Sequence, residues 1–226
     1  MAFRRTEEPL ASPPPAVLTA RMIGIGLVFA GEAEPEADIE ETLVFASVAG
    51  MTGDALRTLS VLTTWLGVHH AYVNVDRLVR LVRRHPSERV RGYWAAVAHW
   101  LRKDRRFERL ARVYQGHPIE LLPVGTAFQI ARRGEDPRFT GTKLLVPQGT
   151  LRDRAADVLS PEVLVRRHAG YRSRVRTGPT FRADVWAILE KEPGLAVAEV
   201  ARRAACSFAT AWQAAKDFKV LHAAGG

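Results

Sequence analysis

The sequence predicts a mainly α-helical protein with a small β component, in which a helical N-terminal domain precedes a smaller helical C-terminal domain. Three observations support this prediction. Apolar residues recur at helical spacing over much of residues 35–115. Prolines and glycines interrupt this spacing in residues 117–150, which predicts short strands there. Near the end, the stretch VAEVARRAACSFATAWQAAKDF has the pattern of two short helices joined by a tight turn.

The first part of the chain is divided into a tail and a helical domain. Residues 1–20 include the proline-rich segment EEPLASPPPA and are predicted to be a disordered tail without a helix. Residues 21–170 are predicted to form the helical domain. Asn74 and Ser87 are suited to cap two of its helices, because their side chains can accept a free N–H of the first turn. Helices are predicted over residues 35–48, 53–66, 74–84, 87–103 and 107–114.

The segment 117–150 interrupts the helices. Within it, IELL and TKLLV predict two short strands in a β hairpin region, around a helical turn at TAFQIARR. The tripeptide Ser160-Pro161-Glu162 then indicates the start of another helix, with a capping serine, a proline in the first turn and an acid behind it. Residues 171–180, YRSRVRTGPT, are predicted to be a basic linker, and residues 181–226 the C-terminal domain.

The composition limits the possible classes of protein. The chain has 226 residues, of which 47% are hydrophobic, so it is long enough to bury a substantial core. Its single cysteine, Cys206, excludes an intramolecular disulfide and a zinc site built on several cysteines, which suits a reducing cytoplasm. No apolar run approaches the roughly 20 residues that cross a bilayer. We therefore expect a cytoplasmic protein without a membrane segment.

The charge is unevenly distributed along the chain. The formal net charge is +9, with a sequence pI near 10.4. Residues 1–55 hold three basic and nine acidic side chains, whereas residues 56–226 hold 30 basic and 15 acidic ones. A basic surface favours a polyanionic partner, because neutralised phosphates release their counterions. The alternative is that this arginine-rich charge serves only solubility.

The stretch from Val197 to Phe218 meets the requirements of a helix-turn-helix. Ala201 supplies the small side chain needed where the two helices cross, and Ser207 can cap the second helix. Ala205 stands at the turn position, where glycine is common because a positive φ is required. The surrounding apolar contacts are assigned to Val200, Ala204, Cys206, Ala211 and Ala214. A preceding helix is predicted in FRADVWAILEKEPG, with an apolar face formed by Phe181, Val185, Ile188 and Leu189.

Together, residues 181–221 resemble the winged-helix superfamily of transcription factors, in the style of small bacterial repressors. The resemblance implies a DNA-binding C-terminal domain whose wing, a two-stranded hairpin, follows the second helix. The remaining segment KVLHAAGG provides at most one strand, so a truncated wing is expected. The phosphate contacts of a full wing would then have to come from other parts of the chain.

The resemblance makes the helix from Ser207 to Lys219 the recognition helix, which lies in the major groove of DNA. Its outward residues are Ser207, Ala209, Thr210, Trp212, Gln213 and Lys216. Gln213 is the best candidate for base recognition, because its amide can pair with adenine through two hydrogen bonds. The residues expected to contact phosphates are Arg202, Arg203, Lys216 and Lys219, together with Arg172, Arg174 and Arg176 of the linker and Arg77, Arg80 and Arg84 of the N-terminal domain.

Three functions remain open at this point. The first is a sequence-specific transcriptional regulator that binds double-stranded DNA, expected by analogy to be a homodimer. The second is an antitoxin or regulatory component of a toxin–antitoxin or phage-defence operon, with a cognate toxin or defence protein as partner, because the layout resembles AbiEi-type antitoxins. The third is a protein-interaction adaptor in which the helix-turn-helix is purely structural.

No catalytic or metal site is expected. The adjacent pair His69 and His70 has no acidic partner at ligand spacing. The sequence GIG at residues 24–26 lacks the third glycine and the context of a phosphate-binding loop. The lone cysteine stands where the turn needs a small apolar residue. We therefore predict no enzyme activity and no cofactor.

Overall fold

The protein is mainly α-helical, as predicted, and the computed structural model describes residues 12–53 and 55–223. The elements are α1 Pro15–Gly24, α2 Ile39–Thr52, α3 Leu56–His69, α4 Val75–Arg84, α5 Glu88–Trp100, α6 Glu108–Ala111, β1 Ile119–Glu120, α7 Thr126–Arg133, β2 Leu144–Leu145, α8 Pro161–Arg167, α9 Ala169–Thr177, α10 Phe181–Lys191, α11 Val197–Arg203 and α12 Phe208–Ala223. Within the described ranges, no helix has the length and apolar content that a membrane span requires.

The N-terminal body, residues 12–177, is built around α2. This helix packs against α1, α3, α4 and α5 and is buried along most of its length. Capping side chains fix where two helices of the body begin. At the start of α4 the side chain of Asn74 accepts the N–H of Arg77, and at the start of α5 that of Ser87 accepts the N–H of Val90, as predicted. Large side chains fill the core, including Trp65, Tyr93, Trp94, Phe107 and Phe139.

The prediction of a disordered tail over residues 1–20 is wrong for its second half, whereas residues 1–11 lie outside the described part. Helix α1 begins at Pro15, because a proline in the first turn needs no hydrogen bond to its nitrogen and has a φ suited to a helix. Leu18 and Met22 of α1 are buried against the body. The proline triplet therefore marks a helix start rather than an unstructured segment.

The predicted β hairpin is also wrong, although both strands are present. Strands β1 and β2 pair in parallel, with Ile119 opposite Leu144 and Glu120 opposite Leu145. The chain between them contains α7. A connection of that length carries the chain back to the starting end of the first strand, so that the second strand runs in the same direction.

The basic linker predicted over residues 171–180 is largely helix α9, and this helix packs into the body. Tyr171, at the start of α9, is fully buried, and its hydroxyl donates to His69 Nδ1 at 2.7 Å. The Nε2–H of His69 in turn donates to the carbonyl oxygen of Leu159 at 2.9 Å. Burial lowers the pKa of His69 to about 4, so the neutral ring holds α9 against α3.

The C-terminal unit, residues 181–223, consists of α10, α11 and α12. Helix α12 packs against both other helices, and α10 also packs against α9. The buried core of the C-terminal unit contains Val185, Leu189, Val200 and Phe218 together with Ala201, Ala204, Ala211, Ala214 and Ala215. The strand expected in KVLHAAGG is wrong for residues 219–223, which continue α12, and residues 224–226 lie outside the described part.

Candidate nucleic-acid interface

A tight turn at residues 204–207 joins α11 to α12. Ala201 is buried between the helices, and its carbonyl oxygen accepts the N–H of Cys206 at 3.0 Å. Ala205 adopts a left-handed conformation with φ +47°. The sequence assigned a positive φ to this residue, and the turn confirms that assignment. Burial raises the pKa of the Cys206 thiol, which leaves this half-buried cysteine a packing residue of the turn.

The first turn of α12 is capped as predicted. Ser207 Oγ accepts the N–H of Thr210 at 3.1 Å, and the two hydroxyl oxygens lie 2.8 Å apart. The first turn carries no acidic side chain. The helix dipole therefore leaves this end of α12 favourable for a negatively charged partner.

The outward face of α12 remains in solvent, because its buried face is the alanine-rich stripe that packs on α10 and α11. The ammonium of Lys216 lies 5.7 Å from the ring centroid of Trp212, which is 50% exposed. Gln213 Nε2 donates to Asp217 Oδ1 at 2.9 Å. The other oxygen of Asp217 is paired with Arg182 at 2.8 Å. Lys219 is exposed one turn further along.

Helix α4 of the body brings a basic side chain to the same turn. Arg80 is exposed, and its NH1 group donates to the carbonyl oxygen of Ala205 at 3.4 Å. Its guanidinium carbon lies 4.5 Å from the ring centroid of Phe181, the first residue of α10. Arg84 is one helical turn further along α4 and is also exposed. The structure therefore places Arg80 at the turn that precedes α12.

Arg174 was predicted to contact DNA, and the structure contradicts this, because its side chain is only 5% exposed. NH1 and NH2 donate to the two oxygens of Glu40 at 2.7 and 2.8 Å, and Nε donates to Asp184 Oδ1 at 2.7 Å. Burial alone would lower the pKa of Arg174, but the carboxylates of Asp184 and Glu40 raise it above its usual value. The residue is a buried cation that joins α2, α9 and α10.

Arg77 was also predicted to contact DNA and is likewise buried. Its NH2 group pairs with Asp38, and with Glu41 at 3.1 Å, in front of the N-terminus of α2. Asn74, which precedes α4, links this cluster to the C-terminal unit by donating to Asp184 Oδ2 at 3.0 Å. The pattern of apolar and basic residues in α4 predicted a solvated basic face, but the acidic start of α2 covers its first turn.

The remaining predicted arginines lie on two other helices. Arg172 and Arg176 are on α9, where Arg172 NH1 lies 3.5 Å from the Val165 carbonyl oxygen and Arg176 pairs with Glu190 at 3.5 Å. Arg202 and Arg203, at the end of α11, are exposed and pair with acidic side chains. Both donate hydrogen bonds to the carboxylate of Glu199. These bonds lower the pKa of Glu199 to about 2, and the bond from Arg202 has the larger effect. A phosphate would have to compete with this carboxylate.

The residues predicted for the outward face of α12 do not include one exposed side chain. Phe208, the first residue of the helix, is 58% exposed, although phenylalanine is usually buried. The available signal was its position directly after the capping Ser207, at the exposed end of the helix. Glu40 and Asp184, which hold Arg174, were also missed, because they are distant from each other in sequence.

Comparisons with known proteins place the chain in no family. No protein-family model matches it, and no curated protein or solved structure matches it either. Among the described residues, no group of three or more His, Cys, Asp or Glu side chains is placed to hold a metal ion. Any functional conclusion therefore rests on the geometry of α10, α11 and α12 and on the charges around them.

Proposed function

We propose that the protein is a sequence-specific binder of double-stranded DNA that acts as a transcriptional regulator. In this proposal α11 and α12 form a helix-turn-helix, and α12 is its recognition helix. One observation supports it above the others: the outward face of α12, with Gln213 and Lys216, is left in solvent, while Arg80 of the body lies at the turn before it. Exposed amide and cationic groups on one helix suit a groove lined by base edges and phosphates.

The dimensions of α12 also favour this function. Its 16 residues form a rod about 24 Å long at 1.5 Å per residue. The major groove of B-DNA, about 12 Å wide, accepts one such helix. In helix-turn-helix proteins the N-terminal residues of this helix contact base edges. Here that end carries Ser207 and Thr210, whose hydroxyls suit a phosphate or a base edge.

Base recognition is assigned to Gln213. In the unbound protein its amide nitrogen donates to Asp217, so this hydrogen bond must be exchanged for one to adenine. Asp217 keeps a partner after that exchange, because Arg182 pairs with its other oxygen. The exchange therefore leaves no carboxylate unpaired.

Phosphate contacts are assigned to Lys216 and Lys219 on α12 and to Arg80 and Arg84 on α4. The two arginines take the place of the wing, which is absent from residues 181–223 of the described chain. Arg174 links Glu40 of α2 to Asp184 of α10. Because α4 packs on α2 and α12 packs on α10, these buried contacts support one arrangement of α4 and α12. We further propose a homodimer, because two half-sites convert modest affinity into specificity.

The adaptor function is the second candidate, and the exposed apolar residues of α12 favour it. Trp212, Val220 and Leu221 are each at least half exposed, so their apolar surface is available for contact with a protein partner. An antitoxin would combine such a protein contact with DNA binding. Only the adaptor function excludes DNA binding, so a DNA experiment separates it from the other two.

The proposal is tested by selecting bound duplexes from a random library with the natural protein and with Gln213→Ala. We expect an enriched sequence with the natural protein. In the variant, the preference for adenine at one position is expected to fall about tenfold, since a bidentate pair contributes about 1–3 kcal/mol of discrimination. Gln129→Ala, which removes a glutamine on α7, is the matched control and keeps the natural preference. The absence of any enriched sequence would contradict the proposal.

A further inference from the structure

The first turn of α12 carries apolar side chains that are exposed to solvent. Phe208 is 58% exposed, and Ala209 beside it is also exposed. Both follow directly after the capping Ser207, in a turn without acidic side chains. Trp212 is four residues after Phe208, so the two rings lie on neighbouring turns of the same side of the helix.

Phe208 is not needed for the core of the C-terminal unit. The buried positions of α12 are Ala211, Ala214, Ala215 and Phe218, and these already fill the contact with α10 and α11. A phenylalanine left in water forgoes the burial energy that its ring would gain against a partner. Its exposure therefore leaves the ring available to a partner at this turn.

The charges around this turn favour a polyanionic partner over an apolar protein surface. Arg80 lies against Ala205 on the preceding turn, and Lys216 lies beside Trp212. Asp217, the acidic residue on this part of α12, is paired with Arg182. The apolar turn is thus bordered by cations, as expected for a surface that lies against DNA.

We propose that Phe208 and Ala209 contact the C5-methyl groups of thymines in the major groove. Neither side chain can form a hydrogen bond, and the thymine methyl is the apolar group that base edges present in this groove. The target then contains thymines under the first turn of α12, next to the adenine bound by Gln213. This inference rests on the proposed function, and it specifies which chemical feature of the DNA the protein recognises.

The test replaces thymine by deoxyuridine in the selected duplex, which removes only the methyl group and keeps every base-pairing hydrogen bond. For the natural protein, we expect the replacement of each contacted thymine to lower the affinity about three- to fourfold, because one buried methyl group contributes about that much. Phe208→Ala is expected to bind the thymine duplex more weakly and to lose most of the difference between the two duplexes. Circular dichroism checks that this surface variant is folded.

Two controls complete the experiment. Deoxyuridine placed outside the protected sequence is expected to change nothing, and Phe128→Ala, which removes a phenylalanine 70% exposed on α7, keeps the natural preference for thymine. Equal affinity for the thymine and deoxyuridine duplexes, or a selected sequence without thymine, would overturn the inference while leaving DNA binding intact. Failure to select any sequence would instead refute the proposed function, and the inference with it.

Discussion

The N-terminal body and the C-terminal unit are packed in different ways. The body buries large aromatic side chains such as Trp65, Trp94 and Phe139. The C-terminal unit is packed mainly through alanines, with Val185, Leu189, Val200 and Phe218 as its larger buried side chains. Alanines allow α11 and α12 to cross closely, but each one buries little apolar area. The C-terminal unit therefore gains less stability from its own core than the body does.

The hydrogen bonds around Arg174 attach the C-terminal unit to the N-terminal body and so add stability that the small core of the unit does not supply. Arg174 belongs to the body, whereas Asp184 belongs to the C-terminal unit, and Glu40 and Asn74 complete the hydrogen bonds around them. These hydrogen bonds therefore hold the C-terminal unit, which has the smaller core, against the well-packed N-terminal body. Under the proposed function, this arrangement holds α12 in position relative to Arg80 of α4.

The largest expected effect comes from breaking this junction with Arg174→Ala. The variant removes the guanidinium that pairs with the fully buried Glu40 and the largely buried Asp184, which is expected to lower the free energy of unfolding by about 3–5 kcal/mol. Urea denaturation measures the change. The matched control is Arg176→Ala on the same helix, whose 62%-exposed side chain pairs with Glu190 and contributes less than about 1 kcal/mol. Equal effects of the two variants would show that the junction does not stabilise the protein.

A smaller effect is expected within the C-terminal unit at Ala205. Its φ of +47° strains a residue with a Cβ atom, so Ala205→Gly is expected to raise the free energy of unfolding by about 0.5–1 kcal/mol. Thermal unfolding detects this change. Ala131→Gly, in an exposed position of helix α7, is the control and is expected to lower stability by about the same amount. A loss of stability in Ala205→Gly would contradict the assignment of strain to the turn.

Local features of the fold were predictable from the sequence because they depend on neighbouring residues. The caps at Asn74 and Ser87 and the turn at Ala205 follow from side-chain chemistry within a few positions. The start of α1 was missed, although the proline in its first turn is also a local signal. The parallel pairing of β1 and β2 was missed because it depends on how the chain between them folds back.

The candidate interface was predictable only where exposure follows from helical periodicity. Gln213 and Lys216 lie opposite the alanine stripe of α12, as the spacing indicated. Arg77 and Arg80 are three residues apart on α4, yet one is buried among acids and the other is exposed at the turn. No local pattern distinguishes them, because the acids that bury Arg77 come from α2.

The central claim is tested most directly by measuring affinity for duplex DNA over a range of salt concentrations. For the natural protein, we expect the logarithm of the binding constant to fall steeply and linearly with the logarithm of salt concentration. Lys216→Ala is expected to reduce this slope by about one, whereas Lys103→Ala, which removes an exposed lysine after α5, leaves it unchanged. Weak binding that does not respond to salt would contradict the claim that α12 and its surrounding cations bind DNA.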